Sequence, residues 1–348
     1  MSASGTCVVD EARPTEEWTV RAFFSVDLIN STAAKAQSAP PSAPGWVAWF
    51  QDFYRRVPEH VAAAYDGLPS ELGHVRPDSD HRLRVWKLLG DEILFWADLK
   101  RHEEVLAHAL AVKTAVSRYA PVLRAKGARL GLKAAGWLAG FPVTNQKVAT
   151  SQAERADQLG FDFIGPSIDL GFRVAKLADD RRFVLTAEMA LMVLDALDHL
   201  EGCDRLLHVY YAGRQELRGV LRNTPYPVCW ICQRDGQPSA EDRVLRWQPE
   251  TNYDPLRQFL REYLDNTEGL RRLFVVGDEH PRYRGGPDKD MEDARVALDE
   301  LLRDHPEQGT PEEQAGSPDA APLPEPDLAT LGLAVRACDD DLCGEGGT

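Results

Sequence analysis

The chain has 348 residues, a hydrophobic fraction of 43% and a formal net charge of −15. No apolar run approaches the roughly 18 residues that cross a bilayer, and Met1-Ser2-Ala3-Ser4-Gly5-Thr6 has neither the basic nor the apolar region of a secretory signal, so a cytoplasmic protein without membrane contact is expected. The acidic balance disfavours nonspecific nucleic-acid binding, and a polyanionic ligand would need local cations of its own.

Residues 1–17 are polar and read as a flexible N-terminus. A strand follows over 19–27, closing on the β-branched and aromatic run Phe23-Phe24-Ser25-Val26-Asp27. Residues 33–45 are rich in Ala, Ser and Pro and read as a loop. Trp46, Trp49, Phe50 and Phe53 then repeat at helical spacing, which is the pattern of a core-facing helix, with Pro58 as an interruption. Residues 68–81 read as loop, and about 82–98 as a hairpin turning at Gly90-Asp91. A helix is expected over 101–119, a strand over 129–138, and irregular chain to about 161. Asp162 to Ala178 read as a helix entry, with Gly165-Pro166 at its start. Strands are expected at Phe183-Val184-Leu185, near 205–212 and over 226–232, and Thr186 is placed to cap a helix.

Residues 253–303 carry two further helical patterns, one through Leu256, Phe259, Leu260, Tyr263 and Leu264. Four parts follow: 1–17, a core over 18–232, a helical extension over 233–305, and a Pro/Gly-rich acidic tail over 306–348 too poor in aromatics to order itself. Cys229-Trp230-Ile231-Cys232 is a C-x-x-C without a second pair, and its flanks read as a buried strand.

The chemistry lies at Asp27 and Asp91. A fold that lays the first strand beside the hairpin brings both carboxylates to one rim, an arrangement that is costly unless a cation neutralises it. Each alone has an ordinary reading, a turn for Gly90-Asp91 and a helix cap for a strand-end Asp. Asp169 and Arg173, four apart, share a helix face and on their own would be a surface ion pair.

Taken in order, four segments resemble the class III nucleotidyl cyclase catalytic domain. The family's F-x-D-(hydrophobic)-x-x-(S/T)-T matches Phe24-Ser25-Val26-Asp27-Leu28-Ile29-Asn30-Ser31-Thr32, with one extra residue between Phe24 and Asp27. Its K-x-x-G-D matches Lys87-Leu88-Leu89-Gly90-Asp91, and its R-x-G-(hydrophobic)-x-x-G central strand is similar to Arg129 through Gly136. Its D-x-x-G-x-x-V-N-x-x-x-R matches Asp162 through Arg173, with Ile168-Asp169 in place of Val-Asn.

The resemblance covers residues 18–232 and implies an α+β fold, a ferredoxin-like βαββαβ palm core with a mostly antiparallel sheet. It implies that Asp27, Asp91 and the Leu28 carbonyl hold two Mg²⁺ or Mn²⁺ ions. Lys87 and Asp162 occupy base-reading positions, Asp169 the ribose-orienting position, Arg173 the α-phosphate position and Arg218 the vicinity of the phosphate-binding lysine. Phe50 lies on a helix that borders the nucleotide. It also implies a head-to-tail homodimer with two composite sites, the metal carboxylates from one subunit and the base and Arg residues from the other.

The Asn-to-Asp departure at Asp169, the bulky rings near Phe50 and the lone cyclase domain resemble the pyrimidine nucleotide cyclases of bacterial Pycsar anti-phage systems. These convert UTP or CTP to a cyclic monophosphate that a partner effector reads. UTP is favoured here. The alternatives are CTP, ATP (since Lys87 and Asp162 match adenine-reading positions), a diguanylate cyclase-like palm enzyme, and a catalytically dead nucleotide-binding module.

Overall fold

The computed structural model describes residues 17–37, 45–125, 130–149, 160–200, 206–233 and 252–304. Residues 1–16 of the expected flexible segment 1–17, and the acidic tail from 306, lie outside them. The chain divides into two compact units, Met1–Glu300 and Leu301–Thr348, and the packing below concerns the first. No helix among the described residues is long and apolar enough to cross a membrane.

Strand β1, Thr19–Ile29, is the centre of the fold. Its Ala22, Phe24, Val26 and Leu28 enter the larger core, while Phe23 joins a separate aromatic core on the opposite face. Both faces of β1 are therefore covered, which explains its nearly continuous apolar run. The hairpin β2 (Arg84–Leu89) and β3 (Glu92–Leu99) pairs along one side of β1, and β4 (Gly131–Phe141) along the other, all antiparallel. Gly90 takes a φ of +63° in the hairpin turn, a conformation that costs glycine little.

Strand β7 (Arg182–Leu185) joins β4 in parallel. Strands β8 (Val209–Gln215) and β9 (Tyr226–Cys232) complete a seven-stranded sheet of order β2-β3-β1-β4-β7-β9-β8. This is the expected α+β arrangement with a mostly antiparallel sheet. Helices α2 (Gly45–Asp66), α3 (Glu104–Ala125) and α5 (Ala187–His199) contribute to the larger core. Thr186 caps α5 as expected, its hydroxyl accepting from the Met189 N–H at 3.4 Å.

The structure corrects four local expectations. Residues 33–37 belong to a short helix α1, Ser31–Gln37, rather than to a loop. Helix α2 runs through Pro58 without interruption. The missing proline N–H costs one backbone bond, but Phe53, Val57 and Val61 are all buried on either side of it, and that apolar face holds the helix together. The stretch expected to be irregular contains a two-stranded ribbon, β5 (Gln146–Ala149) with β6 (Phe161–Ile164). Asp162 thus stands on a strand, and the helix α4 begins only at Pro166 and ends at Ala175.

The ribbon and α4 cover the second face of the sheet. Phe23, Trp86, Trp96, Trp137, Phe163 and Ile168 pack there, with Phe23 stacked on Trp137 at 5.8 Å. Gly171 of α4 lies directly against Trp137: a β-carbon at that position would stand 2.3 Å from the indole ring. Gly171→Ala is therefore expected to destabilise the fold by about 1–3 kcal/mol, since neither the helix backbone nor a fully buried indole can give way cheaply. A urea-unfolding midpoint equal to wild type would contradict this packing.

In the C-terminal part, α6 (Asp254–Asn266) sits on α5 with Leu260, Tyr263 and Leu264 buried, and α7 spans Lys289–Asp304. Cys229 and Cys232 lie three apart on β9, the first buried and the second half-buried. Burial pushes the Cys229 thiol up to about 12, so it behaves as an apolar core residue rather than a metal ligand or nucleophile.

Candidate active site

Strand register sets one row of side chains across three neighbouring strands. Asp27 on β1 faces Glu92 on β3 and Lys133 on β4. Lys133 Nζ lies 2.9 Å from Asp27 Oδ2. The next row inward carries Ser25, whose hydroxyl donates to Glu92 Oε1. Beyond it come Phe23, Trp96 and Trp137, so the polar rim is backed by an aromatic wall.

Asp91 follows Gly90 in the hairpin turn and is drawn to the same rim. Its carbonyl accepts from the Leu28 N–H at 3.1 Å, and its side chain accepts from the Ser31 hydroxyl at the start of α1. Tyr54 of α2 donates to the Gly90 carbonyl, tying the turn to the helix. The expected convergence of Asp27 and Asp91 is thus present, and Glu92 adds a third carboxylate. Burial raises the Asp27 carboxyl above its ordinary range and the Asp91 charge adds to this, against a lowering pull from Lys133. Glu92 is raised in the same way, by burial first and then by Asp27 and Asp91.

These groups suit a hard divalent cation. Asp27 Oδ1 is buried without a hydrogen-bond partner, while Lys133 engages the other oxygen. An orphaned anionic oxygen beside two further carboxylates is an all-oxygen donor set, the kind that Mg²⁺ and Mn²⁺ prefer.

Lys87 and Asp162 come together from β2 and β6, with Nζ 2.7 and 2.9 Å from the two carboxylate oxygens. Asp169 and Arg173 are both exposed on α4 and form no ion pair with each other among the described residues. Arg173 reaches toward the segment after β8: its Nη2 lies 3.9 Å from where a β-carbon on Gly219 would stand. Arg218 is exposed in that same segment, beside buried Leu217. Asp169 also borders an apolar cavity of about 320 Å³ lined by Leu138, Leu170, Leu270 and Phe274, apart from the carboxylate rim. Phe50 is 6% exposed, edge-on to Trp46 and Tyr54, with Lys35 Nζ 4.5 Å from its ring centre. It packs as a core residue.

Sequence reasoning missed Lys133 and Glu92. Glu92 adjoins Asp91, and a charged Lys133 inside an apolar strand was the available signal. Which residues share a row, however, follows from pairing register, which no single segment reveals.

No family model and no curated protein matches the chain. Several solved structures are similar. The adenylyl cyclase CyaB from P. aeruginosa is 10% identical, with 64% of this chain and 97% of that chain covered and a TM-score of 0.44. The guanylate cyclase domain of RhGC from Catenaria anguillulae, in complex with GTP, is 11% identical, with 62% and 98% covered and a TM-score of 0.37. The adenylate cyclases from Trypanosoma brucei are 16% identical, with 66% and 94% covered and a TM-score of 0.35.

Proposed function

We propose that the chain is a metal-dependent nucleotidyl cyclase of the class III type. Within that class we read it as a uridylate cyclase, converting UTP to 3′,5′-cyclic UMP and diphosphate as a cytoplasmic alarm messenger in anti-phage defence, sensed by a separate effector. The observation that carries the class is the meeting of Asp27 and Asp91 at one rim, with a buried Asp27 oxygen that lacks a hydrogen-bond partner and could serve as a cation ligand. The step from cyclase to uridylate cyclase rests on Asp169 in place of an amide, together with the sequence pattern as a whole.

In this reading Asp27, Asp91 and the Leu28 carbonyl hold two Mg²⁺ or Mn²⁺ ions. When bound, the ions acidify the ribose 3′-hydroxyl and neutralise the departing phosphates. Lys87 and Asp162 contact the base, Asp169 orients the ribose through a carboxylate that accepts but does not donate, and Arg173 meets the charge that builds on the α-phosphate. Arg218 supplies positive charge toward the outer phosphates. Phe50 supports the helix wall that borders the base. The 3′-oxygen attacks the α-phosphorus in line, its proton leaves to solvent, and the bond to the diphosphate breaks; positioning supplies much of the rate. The rim and the Arg173 face come from different subunits of a head-to-tail homodimer.

Adenylate cyclase is the second reading, favoured by the preformed Lys87–Asp162 pair. Purified chain incubated with Mn²⁺ and an equal mixture of ATP, GTP, CTP and UTP is expected to release diphosphate and accumulate cyclic UMP. Cyclic AMP as the main product would reassign the substrate, and no metal-dependent diphosphate release from any nucleotide would overturn the class.

A further inference from the structure

A second cluster of ionisable groups lies outside the carboxylate rim, where the C-terminal part of the chain meets the start of α3. His102 and Glu103 immediately precede α3, and Asp278 follows in sequence 176 residues after His102. All three side chains are buried, and one ligand atom from each lies within 4.8 Å of the others. His102 Nδ1 is 3.1 and 3.0 Å from the two Asp278 oxygens and 3.3 Å from Glu103 Oε2.

A single ring nitrogen therefore faces three carboxylate oxygens. It carries at most one proton, which can make one well-directed hydrogen bond at a time. The opposite ring nitrogen, Nε2, is buried without any partner. Positive charge from outside the cluster is sparse: Arg101 Nε stands 3.5 Å from Glu103, and His199 Nε2 lies 3.7 Å from Glu103 Oε1. Both Asp278 oxygens also accept backbone N–H bonds, from His102 at 2.6 Å and His280 at 2.8 Å, yet the two buried carboxylates share one buried imidazole.

The spacing matches a tetrahedral transition-metal site. Bonds of about 2.0–2.2 Å to N and O donors place neighbouring donors roughly 3.3–3.5 Å apart, close to the separations from His102 to Glu103 and Asp278. His199 Nε2 lies against the other Glu103 oxygen, Oε1, with its side chain 59% exposed, so it borders the cluster without joining it. The His280 and Tyr283 rings cover the His102 ring at 4.6 and 5.1 Å and shield it from solvent. We infer that His102, Glu103 and Asp278, with a water in fourth place, form a structural site for Zn²⁺ or a similar borderline divalent metal, which staples the 275–283 segment to the start of α3. Imidazole among the donors separates this site from one built for Mg²⁺.

The test uses the full chain, tag-free and stripped with chelator, then exposed to micromolar free Zn²⁺ and desalted. Wild type is expected to retain one more equivalent of zinc than Glu103→Gln or His102→Gln, while Glu268→Gln, at an exposed surface carboxylate outside both clusters, retains as much as wild type. Zinc should raise the wild-type thermal midpoint by about 5 °C when it is present at a hundredfold excess over Kd. Substitution with Co²⁺ should give a four-coordinate visible spectrum without thiolate charge transfer, which separates this site from binding by cysteines. Zinc retention by folded variants equal to wild type, a thiolate-dominated cobalt spectrum, or a wild-type midpoint unmoved by zinc would each overturn the site. If the variants do not fold, the wild-type midpoint and cobalt spectrum still decide the matter.

Discussion

Asp27→Asn and Asp91→Asn are each expected to abolish metal-dependent diphosphate release while leaving the protein folded. Each substitution keeps the size of the side chain and removes one anionic donor from a rim where three carboxylates meet. The stability side can be argued for Asp27. Burial, reinforced by Asp91, outweighs Lys133 and raises the native carboxyl above its ordinary range. The native state therefore binds the proton more readily than the unfolded chain. That contribution to stability is full below the ordinary carboxylate range and is lost as pH rises through the native value. At neutral pH the ionised Asp27 is a net cost in the metal-free protein. Asp27→Asn should accordingly melt no lower than wild type at pH 7, and any advantage should shrink on acidification. Turnover should fall at least about a hundredfold. Retention of more than a few per cent of wild-type turnover by either variant would sink the proposed role of the rim.

The second large effect is complementation between two inactive variants. If the rim acts from one subunit and Arg173 from the other, Asp27→Ala supplies an intact Arg173 and Arg173→Ala supplies an intact rim. A mixed dimer then holds one working site and one doubly damaged site, by the logic of a two-fold interface. With free subunit exchange at equal mixing, about half of the dimers are mixed, and activity should return to roughly a quarter of wild type. The measurement is cyclic nucleotide formed by the mixture against each variant alone. Proven mixed dimers without recovery, or a fully active monomer, would reject the composite site. Arg173 is exposed and lies near the Arg218 segment, so both guanidinium groups are open to a ligand or a partner face. This sets them apart from Lys133, which is already engaged with Asp27.

What the sequence determined by itself was carried by local features. The β-branched and aromatic run through Phe23 and Phe24 marked a buried strand, Gly90-Asp91 marked a tight turn, and Thr186 marked a helix cap. Each of these depends on neighbours a few residues away, so a linear reading reaches them. The order of the motifs was likewise enough to anticipate an α+β core and the approach of Asp27 to Asp91.

The tertiary structure decided whatever depends on partners distant in sequence. Whether Pro58 breaks its helix is settled by the burial of Phe53, Val57 and Val61, which outweighs one lost backbone bond. The ribbon of Gln146–Ala149 with Phe161–Ile164 exists because two four-residue strands pair, and neither carries a signal strong enough alone. The row Lys133–Asp27–Glu92 follows from the register of three strands, where a shift of one residue would turn these charges to the opposite face. The cluster of His102 and Glu103 with Asp278 joins groups far apart along the chain and exists only once the C-terminal segment has docked. Propensity and turn chemistry act over a few residues, whereas register, burial and charge proximity are properties of the assembled fold.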